Sequence, residues 1–144
     1  MGKIIAVCMS PEKGTAKQNV HQARVVENHG LEGDAHAGTW HRQVSLLSYE
    51  SIEQFKAEGA QVTEGAFGEN LIVSGIDLLS LPVGTKLQCG SIVLQITQIG
   101  KECHHGCAIF QQMGRCIMPH EGVFARVLQG GEIHEDDEIQ VLEP

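Results

Sequence analysis

The chain has 144 residues, enough for one ordinary domain whose core needs neither disulfides nor metal to hold it. Ten Lys and Arg against eighteen Asp and Glu leave a net charge of −8, which argues against nucleic acid as a partner because phosphate backbones demand a basic face. No apolar run approaches the ~18 residues of a membrane helix, so no membrane partner is expected.

The N-terminal run Met-Gly-Lys-Ile-Ile-Ala-Val-Cys is too short in its apolar part for a signal peptide, and Ala6 stands where myristoylation wants Ser or Thr. Five cysteines, an odd number with no export signal, predict reduced thiols in the cytoplasm rather than a disulfide framework.

In chain order, residues 3–8 read as a first strand, 23–27 as a second and 43–47 as a third. Ser48 can cap a short helix through Ala57 that places Ile52 and Phe55 on one face and stops at Gly59. An apolar strand follows Glu69 and Asn70. The clearest hairpin joins 85–89 to 92–97 through Gly90-Ser91, where Gly permits the positive φ of a type II′ turn. In its second strand Ile92, Leu94 and Ile96 share one face, and Val93, Gln95 and Thr97 the other. Residues 107–113 and 121–128 are expected to be helical, the latter entered after Pro119, and 138–142 form a last strand. Val83-Gly-Thr-Lys-Leu-Gln and Asp136-Asp-Glu-Ile-Gln-Val echo each other as turns feeding strands, which fits two corners of a barrel. Short strands, few helices and seventeen glycines predict a mainly β fold, a closed or nearly closed β-barrel spanning residues 1–144 as a single domain.

Three segments carry candidate chemistry. Three of the five cysteines fall within fourteen residues, Cys103 to Cys116, in a segment that opens Gly100-Lys-Glu-Cys-His-His-Gly-Cys. Cys103 follows the most strand-like stretch and lies between Lys101 and the His104-His105 pair, cations that favour a thiolate, the nucleophilic and metal-ligating form. Cys107 and Cys116 with His120 could complete a metal set, but the paired C-x-x-C knuckles of a zinc site are absent. Burial as small hydrophobes is the commoner fate of such cysteines, so a metal ranks behind burial and behind a single reactive Cys103.

The glycine-rich stretch Gly30-Leu-Glu-Gly-Asp-Ala-His-Ala-Gly38 continues as Thr39-Trp40-His41-Arg42. It lacks the spacing of a phosphate loop or a dinucleotide fingerprint. Asp34, His36, His41 and Arg42 could face a ligand, although composition favours a tight loop in which they satisfy backbone groups. In Gly65-Ala-Phe-Gly-Glu-Asn-Leu-Ile-Val, Glu69 and Asn70 could orient a substrate, or brace the barrel, which is the likelier use of a buried carboxylate.

Taken together, the Gly30–Gly38 block, Arg42-Gln-Val-Ser-Leu-Leu, Phe67-Gly-Glu-Asn-Leu-Ile-Val, Val83-Gly-Thr-Lys-Leu and Gln98-Ile-Gly-Lys-Glu-Cys103 resemble the MOSC domain, named for the C-terminal domain of molybdenum cofactor sulfurases. The ordered blocks take in nearly the whole chain. The resemblance implies a β-barrel and one cysteine, aligned with Cys103, that carries a persulfide sulfur or ligates molybdenum. It also implies that Asp34, His36, Arg42, Glu69 and Asn70 are pocket residues for molybdopterin. Pyridoxal phosphate is not expected, because the desulfurase domain of the full sulfurases does not fit in a chain of this length. The additional N-terminal barrel of larger molybdopterin-binding relatives is likewise missing. Glu102 stands where the family often has Pro, and Cys107 or Cys116 could resolve a persulfide as a disulfide.

The sequence therefore implies a sulfur carrier or transferase of molybdenum cofactor metabolism, with Cys103 holding the sulfur and Lys101, His104 and Arg42 supplying positive charge. It would be loaded by a separate cysteine desulfurase and work with a molybdopterin-biosynthesis enzyme. Two alternatives stand beside it. One is a non-catalytic module that binds molybdopterin or molybdate. The other is a structural zinc protein using Cys103, Cys107, Cys116 and His120.

Overall fold

The computed structural model describes residues 2–12, 17–100 and 122–142. The strands in chain order are β1 (Gly2–Met9), β2 (Gln18–Asn19), β3 (Gln22–Val26), β4 (Gly30–Leu31), β5 (Val44–Ser48), β6 (Leu71–Ser74), β7 (Lys86–Cys89), β8 (Ile92–Ile99), β9 (Val123–Gln129), β10 (Gly131–His134) and β11 (Glu138–Val141). One helix, α1 (Tyr49–Ala57), stands among them. Strands β11-β7-β8-β9-β5-β6-β1 pair in that order, and β1 returns to β11 through Gly2↔Ile139 and Lys3↔Glu138, which closes the sheet into a barrel. Strands β10, β3 and β4 form a separate three-stranded sheet, while β2 pairs with the end of β1.

The pairing of β5 with β6 is parallel, so the chain must cross over between them, and α1 is part of that crossover. The Ser48 hydroxyl accepts from the Ser51 amide at the helix start. Ile52 and Phe55 face inward, and Phe55 meets Phe67 at 5.8 Å between ring centroids. They pack with Ala6, Cys8, Leu47, Ile72 and Phe124 in a cluster outside the barrel, distinct from the main core.

That main core includes Ile4, Val7, Leu46, Leu71, Leu94, Ala125 and Ile139. Strict alternation cannot put both Ile4 and Val7 on one face, because three positions is an odd step. A register shift between Ile4 and Ala6 resolves this: Ile4 and Val7 enter the barrel core, and Ala6 and Cys8 turn to the helix.

The hairpin β7–β8 forms with Gly90 at φ +59, and Ile92, Leu94 and Ile96 are its buried face. The two echoed segments become β7 and β11, which pair directly through Gln140↔Gln88 and Val141↔Leu87. One expectation is corrected. Residues 123–129 are strand β9, not the second half of a helix over 121–128, and β9 lies between β5 and β8. The period of two decides it: Val123, Ala125 and Val127 enter the barrel core, Phe124 faces the helix cluster and Arg126 faces out. The helix expected over 107–113 lies outside the described residues. Among the described residues no helix is long and apolar enough to cross a membrane.

Candidate functional site

The glycine-rich loop after β4 is a network of turns. The Asp34 amide donates to the Leu31 carbonyl and the Ala37 amide to the Asp34 carbonyl, which folds the loop back over the barrel end. Asp34 is buried, and its Oδ1 takes the Lys17 ammonium at 2.6 Å and the Ser10 amide at 3.1 Å. The Lys17 Nζ also lies 2.9 Å from His36 Nδ1. An ammonium can only donate, so Nδ1 accepts and the proton of the neutral ring sits on Nε2. Lys17, 3 % exposed, thus ties Asp34 to His36. Sequence reasoning missed it. Its partners stand 17 and 19 positions away, and no local pattern separates a buried lysine from a surface one.

Glu69 is fully buried, and its two carboxylate oxygens take the amides of Gly65 and Phe67 at 3.0 Å each. Those amides and the Lys17 charge favour the carboxylate, but burial outweighs them and pushes its pKa from 4.5 up to about 7. A group raised in this way contributes stability that is fully present below its unfolded value and is lost as pH rises through the folded one. Glu69→Gln should therefore gain on the wild type by on the order of 3 kcal/mol between pH 4.5 and pH 7.5. Urea unfolding of both proteins across that range checks it, and a flat difference refutes it. Asn70 joins none of these side chains. Its Oδ1 accepts from the Ser45 amide at 2.9 Å and its Nδ2 donates to the Cys8 carbonyl at 3.0 Å, which straps β5 to β1.

Arg42 holds a different position. Its guanidinium lies 4.6 Å above the Trp40 ring and 5.6 Å from the Phe124 ring, and its buried Nε has no hydrogen-bond partner among the described residues. Trp40 in turn donates from its indole N–H to the His36 carbonyl at 2.7 Å, so His36 and Arg42 flank one aromatic side chain. The segment 40–42 is pinned to the end of β8. His41 Nε2 meets Gln98 Oε1 at 2.8 Å, and the Thr97 hydroxyl donates to the His41 carbonyl. At this same end the Gly100 amide donates to the Gly122 carbonyl at 2.7 Å, so the chain enters and leaves residues 101–121 at adjacent backbones. Cys103, Lys101, His104, Cys107, Cys116 and His120 all lie within that stretch, outside the described residues.

The two described cysteines are unsuited to nucleophilic work. Both are buried. Burial pushes the Cys89 thiol up to about 11 and the Cys8 thiol higher still, with the Glu69 charge adding to the latter. Any thiolate chemistry falls to the cysteines of the 103–116 segment. Among the described residues no group of three or more His, Cys, Asp or Glu is placed to hold a metal. A cleft of about 460 Å³ opens beside Trp40, lined by Trp40, Asn28, His41, Val83, Gln95 and Arg126 among others.

A family model described as the MOSC domain matches residues 33–140. The chain belongs to the MOSC family. The family is associated with molybdenum-cofactor-related functions. Among solved structures, the YuaD protein of Bacillus subtilis superposes with a TM-score of 0.80 at 20 % identity, over 98 % of this chain and 96 % of that one. YiiM from Geobacillus stearothermophilus gives 0.73 at 21 % identity, over 99 % of this chain and 76 % of that one. YiiM from Escherichia coli gives 0.69 at 19 % identity, over 100 % and 71 %. At these identities the likeness to these proteins is one of fold. No curated protein matches the sequence. Among the described residues, the donor left over for an anionic cofactor group is on Arg42, whose Nε has no partner, whereas the polar atoms of Asp34 and Glu69 are already held by amides or by Lys17.

Proposed function

We propose that this MOSC protein is a sulfur carrier or transferase of molybdenum cofactor metabolism, with Cys103 holding a persulfide sulfur for delivery to a molybdopterin-bound metal. Residues 1–144 act in this reading as one barrel domain, in the reducing cytoplasm, loaded by a separate cysteine desulfurase and working beside a molybdopterin-biosynthesis enzyme. The observation that carries the reading is the Arg42 guanidinium. It is held between two aromatic rings with a buried donor left over, close to the strand ends from which the Cys103 segment departs. Arg42 would hold the phosphate of molybdopterin by charge-assisted hydrogen bonds. When bound, the cofactor supplies a soft metal centre that accepts sulfur.

Loading needs only the chain's own thiol. The Cys103 thiolate attacks the outer sulfur of the donor's persulfide, the donor's S–S bond breaks and the donor thiolate leaves, so sulfur moves without net oxidation. Lys101 and His104 favour the thiolate by their charge. The barrel braces the site from below through Asp34, Lys17 and His36, which fix the loop that carries Trp40 and Arg42.

Incubation with a cysteine desulfurase and L-cysteine without air, followed by intact-mass spectrometry, tests the proposal. The expected result is a gain of one sulfur atom, removed by a thiol reductant, that maps to Cys103 and is absent from Cys103→Ser. Labile sulfur still taken up by the serine variant would refute the assignment. A bound zinc or iron lost on acidification would transfer the site to Cys103, Cys107, Cys116 and His120 as a structural metal centre.

A further inference from the structure

We propose that the cleft between Trp40 and Arg126 is a second binding site, one that takes a planar ring bearing an anionic group, an aromatic or heteroaromatic carboxylate. It adjoins the site of the proposed function and shares Trp40, His41 and Thr97 with it, but Arg42, Gly100 and Gly122 are not among its described lining residues.

The first ground is the charge of its walls. The chain carries eighteen acids against ten bases, yet among the described residues no carboxylate lines this cleft and one arginine does. That arginine is fixed in place. Gln95 Oε1 accepts from Arg126 Nε at 3.0 Å and from Nη2 at 2.8 Å, and Gln95 Nε2 donates to the Gly84 carbonyl at 3.3 Å. Both ends of the glutamine are engaged, so it aims the guanidinium rather than neutralising it. Nη1 has no hydrogen-bond partner among the described residues, and Arg126 has no carboxylate partner among them.

The second ground is the balance of donors and acceptors. Asn28 Oδ1 is taken by Gln43 Nε2 at 3.0 Å, which turns the remaining capacity of that amide to its two N–H donors. The Thr97 hydroxyl spends its one proton on the His41 and Phe124 carbonyls, so it has no donor left for a ligand. What the cleft still offers a ligand is chiefly N–H, from Asn28 and Arg126, which matches a carboxylate.

The third ground is shape. Trp40, 37 % exposed, and Val83, 60 % exposed, present apolar surface at the cleft mouth with the buried Ile96 behind. A volume of about 460 Å³ suits a compound of one or two rings. Trp40 is already immobilised by its bond to His36 and by Arg42, so a ring stacking on it meets a preorganised surface.

Trp40 is the chain's only tryptophan, so its indole N–H gives one resonance, which reports on this cleft and on Arg42 beside it, and Arg126→Gln separates the two. Nicotinate (pyridine-3-carboxylate) is the probe, nicotinamide its uncharged counterpart, and inorganic phosphate an anion without a ring. Nicotinate should shift the indole resonance saturably, nicotinamide should bind about tenfold more weakly or worse, and any shift that phosphate causes from Arg42 should survive Arg126→Gln. Arg126→Gln should weaken nicotinate by about tenfold, towards the nicotinamide value. Val83→Asp places a like charge on the opposite wall at an exposed position and should weaken nicotinate similarly, which guards against an unstable Arg126 variant. An unmoved resonance, equal binding of nicotinamide, a phosphate response lost with Arg126→Gln, or indifference of nicotinate to both substitutions would each overturn the proposal. The measurement does not involve sulfur, so it succeeds or fails independently of Cys103 loading.

Discussion

Replacing Lys17 by Met should destabilise the protein by about 3–5 kcal/mol, the usual cost of leaving a buried charge without its partner. Methionine fills the volume of the lysine stem but offers no donor. Asp34 would keep only the Ser10 and His36 amides, at 3.1 and 3.3 Å, in a site where its side chain has no exposure. The His36 ring would lose the donor that orients it, and Trp40 and Arg42 depend on that same loop. The double exchange Lys17→Met with Asp34→Asn removes the stranded charge and should recover much of the loss. Urea unfolding of the two single variants and the double variant measures the coupling. Additive effects would show that the pair does not act as a unit.

Gly65→Ala should cost about 3 kcal/mol or more, by two mechanisms that add. Gly65 has φ +89, a conformation that costs a residue with a Cβ roughly 1–2 kcal/mol. The added Cβ would also stand 2.0 Å from the Lys17 carbonyl oxygen and 2.4 Å from its carbon. Those are backbone atoms held by the Lys17 amide's bond to the Gly65 carbonyl, so they cannot yield as a side-chain tip would. Overpacking of this kind adds about 1–3 kcal/mol. An unfolding free energy from urea curves within about 0.5 kcal/mol of wild type would contradict this packing. Gly59→Ala is the control, since Gly59 has φ +111 with nothing within 4 Å of the added carbon, so it should show the conformational cost alone.

The parts of the fold that were legible in the chain are those whose signals are local. The hairpin over 85–97 announces itself by Gly90-Ser91 between two alternating runs, and α1 by Ser48, two apolar residues three apart and Gly59. Strand β9 carried an equally good alternation at Val123, Ala125 and Val127. Pro119 just before it suits a helix start, and only pairing with β5 and β8 shows the strand. The bulge in β1 had no local mark at all. It exists because Ile4 must enter the barrel while Ala6 must meet α1, a demand set by two partners distant in sequence.

The candidate site divides in the same way. Residue type and order sufficed to pick out Asp34, His36, Arg42, Glu69 and Asn70, but not to separate their duties. Glu69 and Asn70 hold backbone amides and carbonyls of β1, β5 and the loop before β6, whereas Arg42 retains a donor with no partner among the described residues. That difference turns on which amides lie within reach, and no spacing in the sequence encodes it. Lys17 entered only through its partners in space.

By itself, then, the sequence determined a mainly β chain of the MOSC family, the helix α1, the hairpin over 85–97, and the loop that bears its polar residues. Alternation, caps and turn glycines act within a few residues, so they are written in the chain. The tertiary structure decided the closure of β1 on β11, the bulge that sorts two cores, the burial of Lys17 between Asp34 and His36, and, among the described residues, the unpartnered Nε of Arg42. Each of these depends on groups brought together from far apart in the chain, and on which of them finds a partner once water has been excluded.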